Sequence, residues 1–303
     1  AKGLVKREVI RVVTPGTNLN VQSLEAGKNN YLLSIAYTPD GIGISAADVT
    51  TGDYYVTEVE DLKKLNDELM KYEPSEIICN EAFLVSGFDV NDLKSRLHIS
   101  VNALESHMFD DDGCRRILMR HFKVNTLIGL GVEEFPTGIL AAGALLQYLY
   151  DTQKTDLEHF THISPYLTSK YMLLDSSTRR NLELTETLRE KQKRGSLLWV
   201  LDKTKTAMGG RLLRNYIEQP LIEKDEMEKR LDAIQELNQD SISRDEIREY
   251  LNPVYDLERL LSKVTYKTAN PRDLIAFRNS LQMLPPIKTV LSGFQKEELA
   301  AIR

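Results

Sequence analysis

Five histidines, two cysteines and several basic clusters are the side chains with chemistry to offer, and their spacing joins none of them into a catalytic set. His98, His107 and His121 are scattered, while His159 and His162 have no acid or cysteine at ligand spacing behind them. Metal ions need convergent ligands, so no metal site is expected. Cys79 and Cys114 stand far apart with no CxxC pattern, which fits a reducing compartment. Cys114 lies beside Asp112 and Arg115, with no histidine placed by sequence to activate it, and reads as a structural or surface thiol. Asp48 and Asp53 flank Thr51-Gly52, a place where aspartate serves a turn at the surface. Lys191-Gln-Lys-Arg194, the densest cationic cluster, precedes Gly195 and reads as a solvated helix end, with a phosphate contact as the sharper alternative. Arg179, Arg180, Arg211 and Arg214 alternate with apolar residues, which suggests ion pairs with the many neighbouring acids.

Those residues need elements to hold them, and the composition says what kind. A chain of 303 residues with 42% apolar and 28% charged side chains is long enough for two domains, each with its own core. The net charge of −6 repels phosphate, so any DNA contact must be local or supplied by another segment. No apolar run reaches the roughly 20 residues needed to cross a bilayer, and no secretory signal opens the chain; a cytoplasmic location without membrane contact is expected. The start at Ala1-Lys2-Gly3 and the helical pattern from Glu297 to Arg303 both read as cut points in a longer chain.

Val9 to Val13 is β-branched and stops at Thr14-Pro15-Gly16, which predicts a short strand. Tyr31 to Tyr37, Ile42 to Val49 and Tyr54 to Val59 are separated by Pro39-Asp40-Gly41 and Thr51-Gly52, the spacing of an antiparallel meander. Asp61 caps a predicted helix with Leu62, Leu65 and Leu69 on one side, ended by Glu73-Pro74 and followed by a strand around Ile77-Ile78. Weaker signals run to Phe122, and the small residues of Thr137 to Leu146 predict a helix that lies close to its neighbours. The order β-β-β-α-β-α gives an α/β domain with a mixed sheet over 1–152, then a polar linker over 153–168.

From 169 to 303 strand signals stop and an all-α domain is expected. Met227, Leu231 and Ile234 form one apolar stripe. Asn270-Pro-Arg-Asp273 supplies a cap, a first-turn proline and an acidic start to a helix carrying Leu274, Phe277 and Leu281, which Pro285-Pro286 should stop.

Several phrases in collinear order resemble the MutS family of DNA mismatch-repair proteins. They are Ile10-Arg-Val-Val-Thr-Pro-Gly-Thr17, Asp48-Val-Thr-Thr-Gly52, Leu127-Ile-Gly-Leu-Gly-Val-Glu133, Ala141-Ala-Gly-Ala-Leu-Leu-Gln-Tyr148, Asp151-Thr-Gln153 and Leu174-Asp-Ser-Ser-Thr-Arg-Arg-Asn-Leu-Glu183. Thr206-Ala-Met-Gly-Gly-Arg-Leu-Leu213, Pro220-Leu221, Asp256-Leu-Glu-Arg-Leu260 and Pro271-Arg-Asp-Leu274 extend the resemblance over nearly the whole chain. It implies a ribonuclease H-like connector followed by the first part of a helical lever.

The resemblance further implies a non-catalytic segment that couples the ATPase and DNA-clamp parts of a parent protein. No Phe-x-Glu mismatch wedge and no GxxxxGK[ST] phosphate loop occur here. Mismatched duplex DNA, ATP with its Mg²⁺ and the main homodimer contacts are therefore expected elsewhere in the parent, with no cofactor in this segment. The helix spanning 110–122 matches the one implicated in docking the partner MutL, at Arg116 and Ile117 with Arg115 beside them. Helices over 256–264 and 270–284, held by apolar stripes, are the expected stiff path of the lever. The alternatives are a recombination-type MutS relative and a ribonuclease H-type nuclease. A two-metal nuclease needs converging carboxylates, and Tyr31 to Tyr37 carries none.

Overall fold

The α/β half is built on central strands whose residues are buried on both faces. β1 (Leu32–Thr38) pairs antiparallel with β2 (Gly41–Asp48), and β2 with β3 (Asp53–Val59). α1 (Leu62–Tyr72) follows, capped by Asp61, whose side chain accepts from the Lys64 amide; Glu73 ends it in a left-handed conformation. β4 (Glu76–Cys79), the single turn α2 (Glu81–Leu84), α3 (Val90–Ser95) and β5 (Ser100–Ala103) come next. α4 (Asp111–Phe122), α5 (Pro136–Gln153) and the two-residue β6 (Ser164–Pro165) complete it. The sheet runs β5-β4-β1-β2-β3-β6, antiparallel through the meander and parallel outside it, so the expected mixed α/β sheet is present. This computed structural model describes residues 8–20, 24–95 and 97–302. They fall into two units, 8–20 with 30–166 and 24–29 with 167–302.

Alternation along β1 divides the first unit's core between two layers. Leu33 and Ile35 join Ile42, Ile44 and the α1 residues Leu65 and Leu69 on one face, while Ala36 packs with Ala141 and Ala144 of α5 on the other. The small residues of α5 are what allow this layer. A Cβ on Gly43 of β2 would fall 1.9 Å from the Thr137 carbonyl, and one on Gly143 would fall 2.3 Å from the Cβ of Cys114, so glycine is required at both crossings.

Three expectations need correcting in this unit. Val9 to Val13 is not a strand: Val9 and Ile10 are exposed, and one amide, that of Val12, donates to the Thr152 carbonyl at 2.7 Å. Thr14-Pro-Gly-Thr17 instead forms a tight turn that docks on Glu76, a fully buried carboxylate accepting from the Gly16 amide (3.0 Å) and the Tyr148 hydroxyl (2.8 Å). The stretch 153–168 is not a free linker over most of its length. Leu157, Phe160 and Ile163 are buried, and β6 continues the sheet, with the Tyr166 amide donating to the Val56 carbonyl at 3.0 Å. Its polar composition hid apolar anchors spaced at three residues. Asp48 does serve its turn, but from a buried position.

In the second unit the described elements after residue 166 are helical apart from the isolated bridge Tyr171–Leu221. They are α6 (Ser176–Asn181), α7 (Leu197–Leu201), α8 (Ala207–Glu218), α9 (Lys224–Gln239), α10 (Ser241–Leu251), α11 (Leu257–Thr265), α12 (Pro271–Leu281), α13 (Leu284–Leu291) and α14 (Glu297–Ala301). Ala233, Ile287, Leu291, Phe294 and Leu299 form its core. Asn270 caps α12 as expected, closing a capping box with Asp273. Pro285-Pro286 does not merely stop a helix; it begins α13, because prolines are tolerated in a first turn, where backbone amides have no intrahelical acceptor. The predicted stripes are also not the packed faces here: Leu231 and Ile234 are each 61% exposed and Leu274 is 51% exposed. No helix among the described residues is long and apolar enough to cross a membrane.

Candidate functional site

α4 is fixed at both ends and along one side. The Asp110 carboxylate accepts from the Gly113 amide at 2.9 Å, Asp111 and Asp112 occupy the positive N-terminal turn, and Lys123 closes the helix in a left-handed conformation. Cys114, Ile117 and Leu118 are buried against the rest of the unit. At its far end the His121 ring contacts the Tyr150 hydroxyl (2.7 Å) and the Phe160 carbonyl (2.8 Å), tying α4 to α5 and to the stretch before β6. Burial lowers the pKa of His121 from its ordinary value, with Lys123 and Arg120 acting in the same direction.

The three residues expected to make a docking surface have different fates. The Arg115 guanidinium is held by Asp111 at 3.0 Å and by Glu133 at 2.8 Å. Arg116 is exposed. Ile117 is only 6% exposed and belongs to the core, so it offers no surface, which corrects the expectation for that position. An arginine pair followed by an apolar residue carries no sequence signal of which members face inward. The partner of Cys114 across the helix crossing, Gly143, supplies that signal.

Cys114 and Asp48 are both engaged in structure. Burial, then the Asp110 and Asp111 charges, pushes the Cys114 thiol up to about 12, so it is protonated at neutral pH. The Asp48 carboxylate accepts from the Asn30 amide (2.9 Å) and from the Thr50 amide and hydroxyl (2.8 and 2.7 Å). Among the described residues no three His, Cys, Asp or Glu come together as metal ligands. The sequence contains no glycine-rich loop ending in Gly-Lys-Ser/Thr.

In the helical unit, two motifs far apart in sequence meet. Arg211 of α8 forms a bidentate pair with Asp256, the N-cap of α11 (2.7 and 2.8 Å), and reaches Glu258 at 2.6 Å. The neighbouring Arg214 pairs with Glu218 at 2.9 Å. Arg179 uses its Nε on the Leu174 carbonyl at 2.9 Å. Lys193 is paired with Asp202, and Lys191 to Gly195 forms a loop ahead of α7 rather than the end of a helix.

Family models agree with this division. Residues 30–163 match MutS domain II and residues 177–302 match MutS domain III. The chain belongs to the MutS family of DNA mismatch repair proteins. A DNA mismatch repair protein MutS of Lachnoclostridium phytofermentans is 63% identical over 302 residues, covering 100% of this chain and 32% of that relative. Those of Ruminiclostridium cellulolyticum and Caldanaerobacter subterraneus subsp. tengcongensis are 47% and 46% identical, covering 98% and 100% of the chain and 34% and 35% of each relative. The chain thus spans about a third of the length of the MutS relatives it matches.

Proposed function

We propose that this chain is the non-catalytic central segment of a MutS mismatch-repair protein, linking its ATPase and DNA-clamp parts and offering MutL a docking surface on α4. In this reading the mismatched duplex, the nucleotide with its Mg²⁺ and the main dimer contacts belong to other parts of the whole protein. What supports the reading is the buried joint between α8 and α11. A bidentate guanidinium–carboxylate pair with little exposure holds the two helix segments it joins in one discrete geometry, which is the property a lever needs. Capping at both ends and burial along one side give α4 a fixed frame, from which Arg116 projects.

The test uses the full-length protein. Deleting the α/β unit should leave mismatch binding intact and abolish MutL recruitment. Arg116→Glu alone should weaken MutL association about tenfold, most strongly at low salt, as expected for a charge at the edge of an interface. Unchanged MutL binding in both proteins would reject the docking role.

A further inference from the structure

The α8–α11 joint has a third member that is not a helix. Arg211 and Arg259 are 4% and 2% exposed, and a buried guanidinium is costly unless its charge and its donors are met. Asp256 and Glu258 meet the charge of Arg211, and Asp256 lies 3.8 Å from Arg259 while also accepting from that residue's backbone amide at 3.3 Å. Backbone carbonyls of the stretch 24–29 take up further donors. Arg211 donates to the Ala26 carbonyl at 3.0 Å, and Arg259 donates to the carbonyls of Glu25 (3.1 Å) and Lys28 (2.7 Å).

This stretch belongs to the helical unit although the chain on both sides of it belongs to the other. It offers the arginines main-chain oxygens, and it lies close to α8: a Cβ on Gly210 would stand 4.0 Å from the Cα of Gly27. Gly210 and Arg211 are adjacent, so one turn of α8 supplies both the room for the stretch and one of its anchors. Through Asn29 it continues into Asn30, whose amide is bound by Asp48, and then into β1.

We infer that residues 24–28 are a strap that locks the α8–α11 joint, with Arg211 and Arg259 as its positioning residues. When the strap is docked, its carbonyls accept from both guanidiniums. When it lifts, three buried donor contacts are lost together and α8 loosens from the start of α11. The strap and the two helix segments therefore open as one cooperative unit.

Amide hydrogen exchange of the whole chain tests it with two variants that act from opposite sides. Arg259→Lys keeps the charge but loses the fork that reaches two carbonyls. Gly210→Leu alters no charged group, improves helix propensity and crowds the strap. In both, exchange should rise about tenfold in 24–28 and by the same factor in 211–216 and 260–264, with α13 unchanged, the size expected for buried hydrogen bonds lost from one cooperative unit. The lock is overturned if the strap accelerates while both helix segments keep their native rates, or if neither variant accelerates the strap. Should Arg259→Lys fail to fold, Gly210→Leu decides alone on the same two outcomes.

Discussion

His159 shows how a side chain unremarkable in sequence acquires a physical role from its place. It sits beneath the β2–β3 turn, where a Cβ on Gly52 would fall 2.7 Å from its carbonyl and where Gly52 itself has φ +84°. Burial holds the imidazole pKa down, from an ordinary value near 6.5 to about 4. The folded state thus keeps the ring neutral, while the unfolded chain takes up a proton as pH drops below 6.5. Stability from this group is fully present above pH 6.5 and is lost progressively down to about 4, a total on the order of 3 kcal/mol. His121, also lowered by burial, acts in the same direction. Urea midpoints at pH 7.5, 6.0 and 5.0 should fall more steeply for the native chain than for His159→Gln; equal slopes would show that the ring is not titrating as a buried group. Sequence reading expected no metal ligation at His159 and His162, and it had no means of seeing this burial, because the turn that covers His159 is more than 100 residues away. The ion pairs of Arg211 and Arg214 were legible as a type of interaction and not as particular partners. Asp256 and Glu258 lie over 40 residues further on and come within reach only when α8 and α11 pack.

At the scale of elements, legibility followed locality. The meander, the Asp61 and Asn270 caps and the small-residue helix rest on neighbouring residues and were readable. The fate of Val9 to Val13, the packing of 153–168 and the start of α13 depend on tertiary partners or on competition between two local rules. The start of α5 shows what such reasoning misses. Its N-cap position is Phe135, which has no side-chain acceptor, yet the helix is capped from β3: Glu58 accepts from the Thr137 hydroxyl at 2.7 Å and from the Gly138 amide at 2.9 Å. A carboxylate there also favours the helix dipole. Glu58→Ala should therefore cost about 1–2 kcal/mol in urea unfolding, with Glu58→Gln intermediate because it keeps an acceptor and loses the charge. A loss within error for Glu58→Ala would mean that the close packing of α5 against β2, and not the cap, fixes the start of that helix.

At the scale of the whole molecule, the two units differ in how far their apolar residues are withdrawn from water. The first has a sheet covered on both faces, with Leu32, Leu33, Ile35, Ala36, Ile77 and Ile78 all at 0% exposure. The second leaves Leu173, Leu231, Ile234 and Ile242 at 61% or more, and its core residues retain 4–8%. Hydrophobic stabilisation scales with apolar area removed from water, so the helical unit gains less for each residue it orders. The single tryptophan makes this difference measurable: Trp199 lies in α7, so its fluorescence reports on the helical unit, while the near-ultraviolet dichroism of the Tyr31, Tyr55 and Tyr72 cluster reports on the other. In a urea titration the Trp199 transition should precede the tyrosine transition. Such non-coincidence is the signature of two cooperative units with separate stabilities, whereas superimposable curves would mean that the sheet and the helices melt as one.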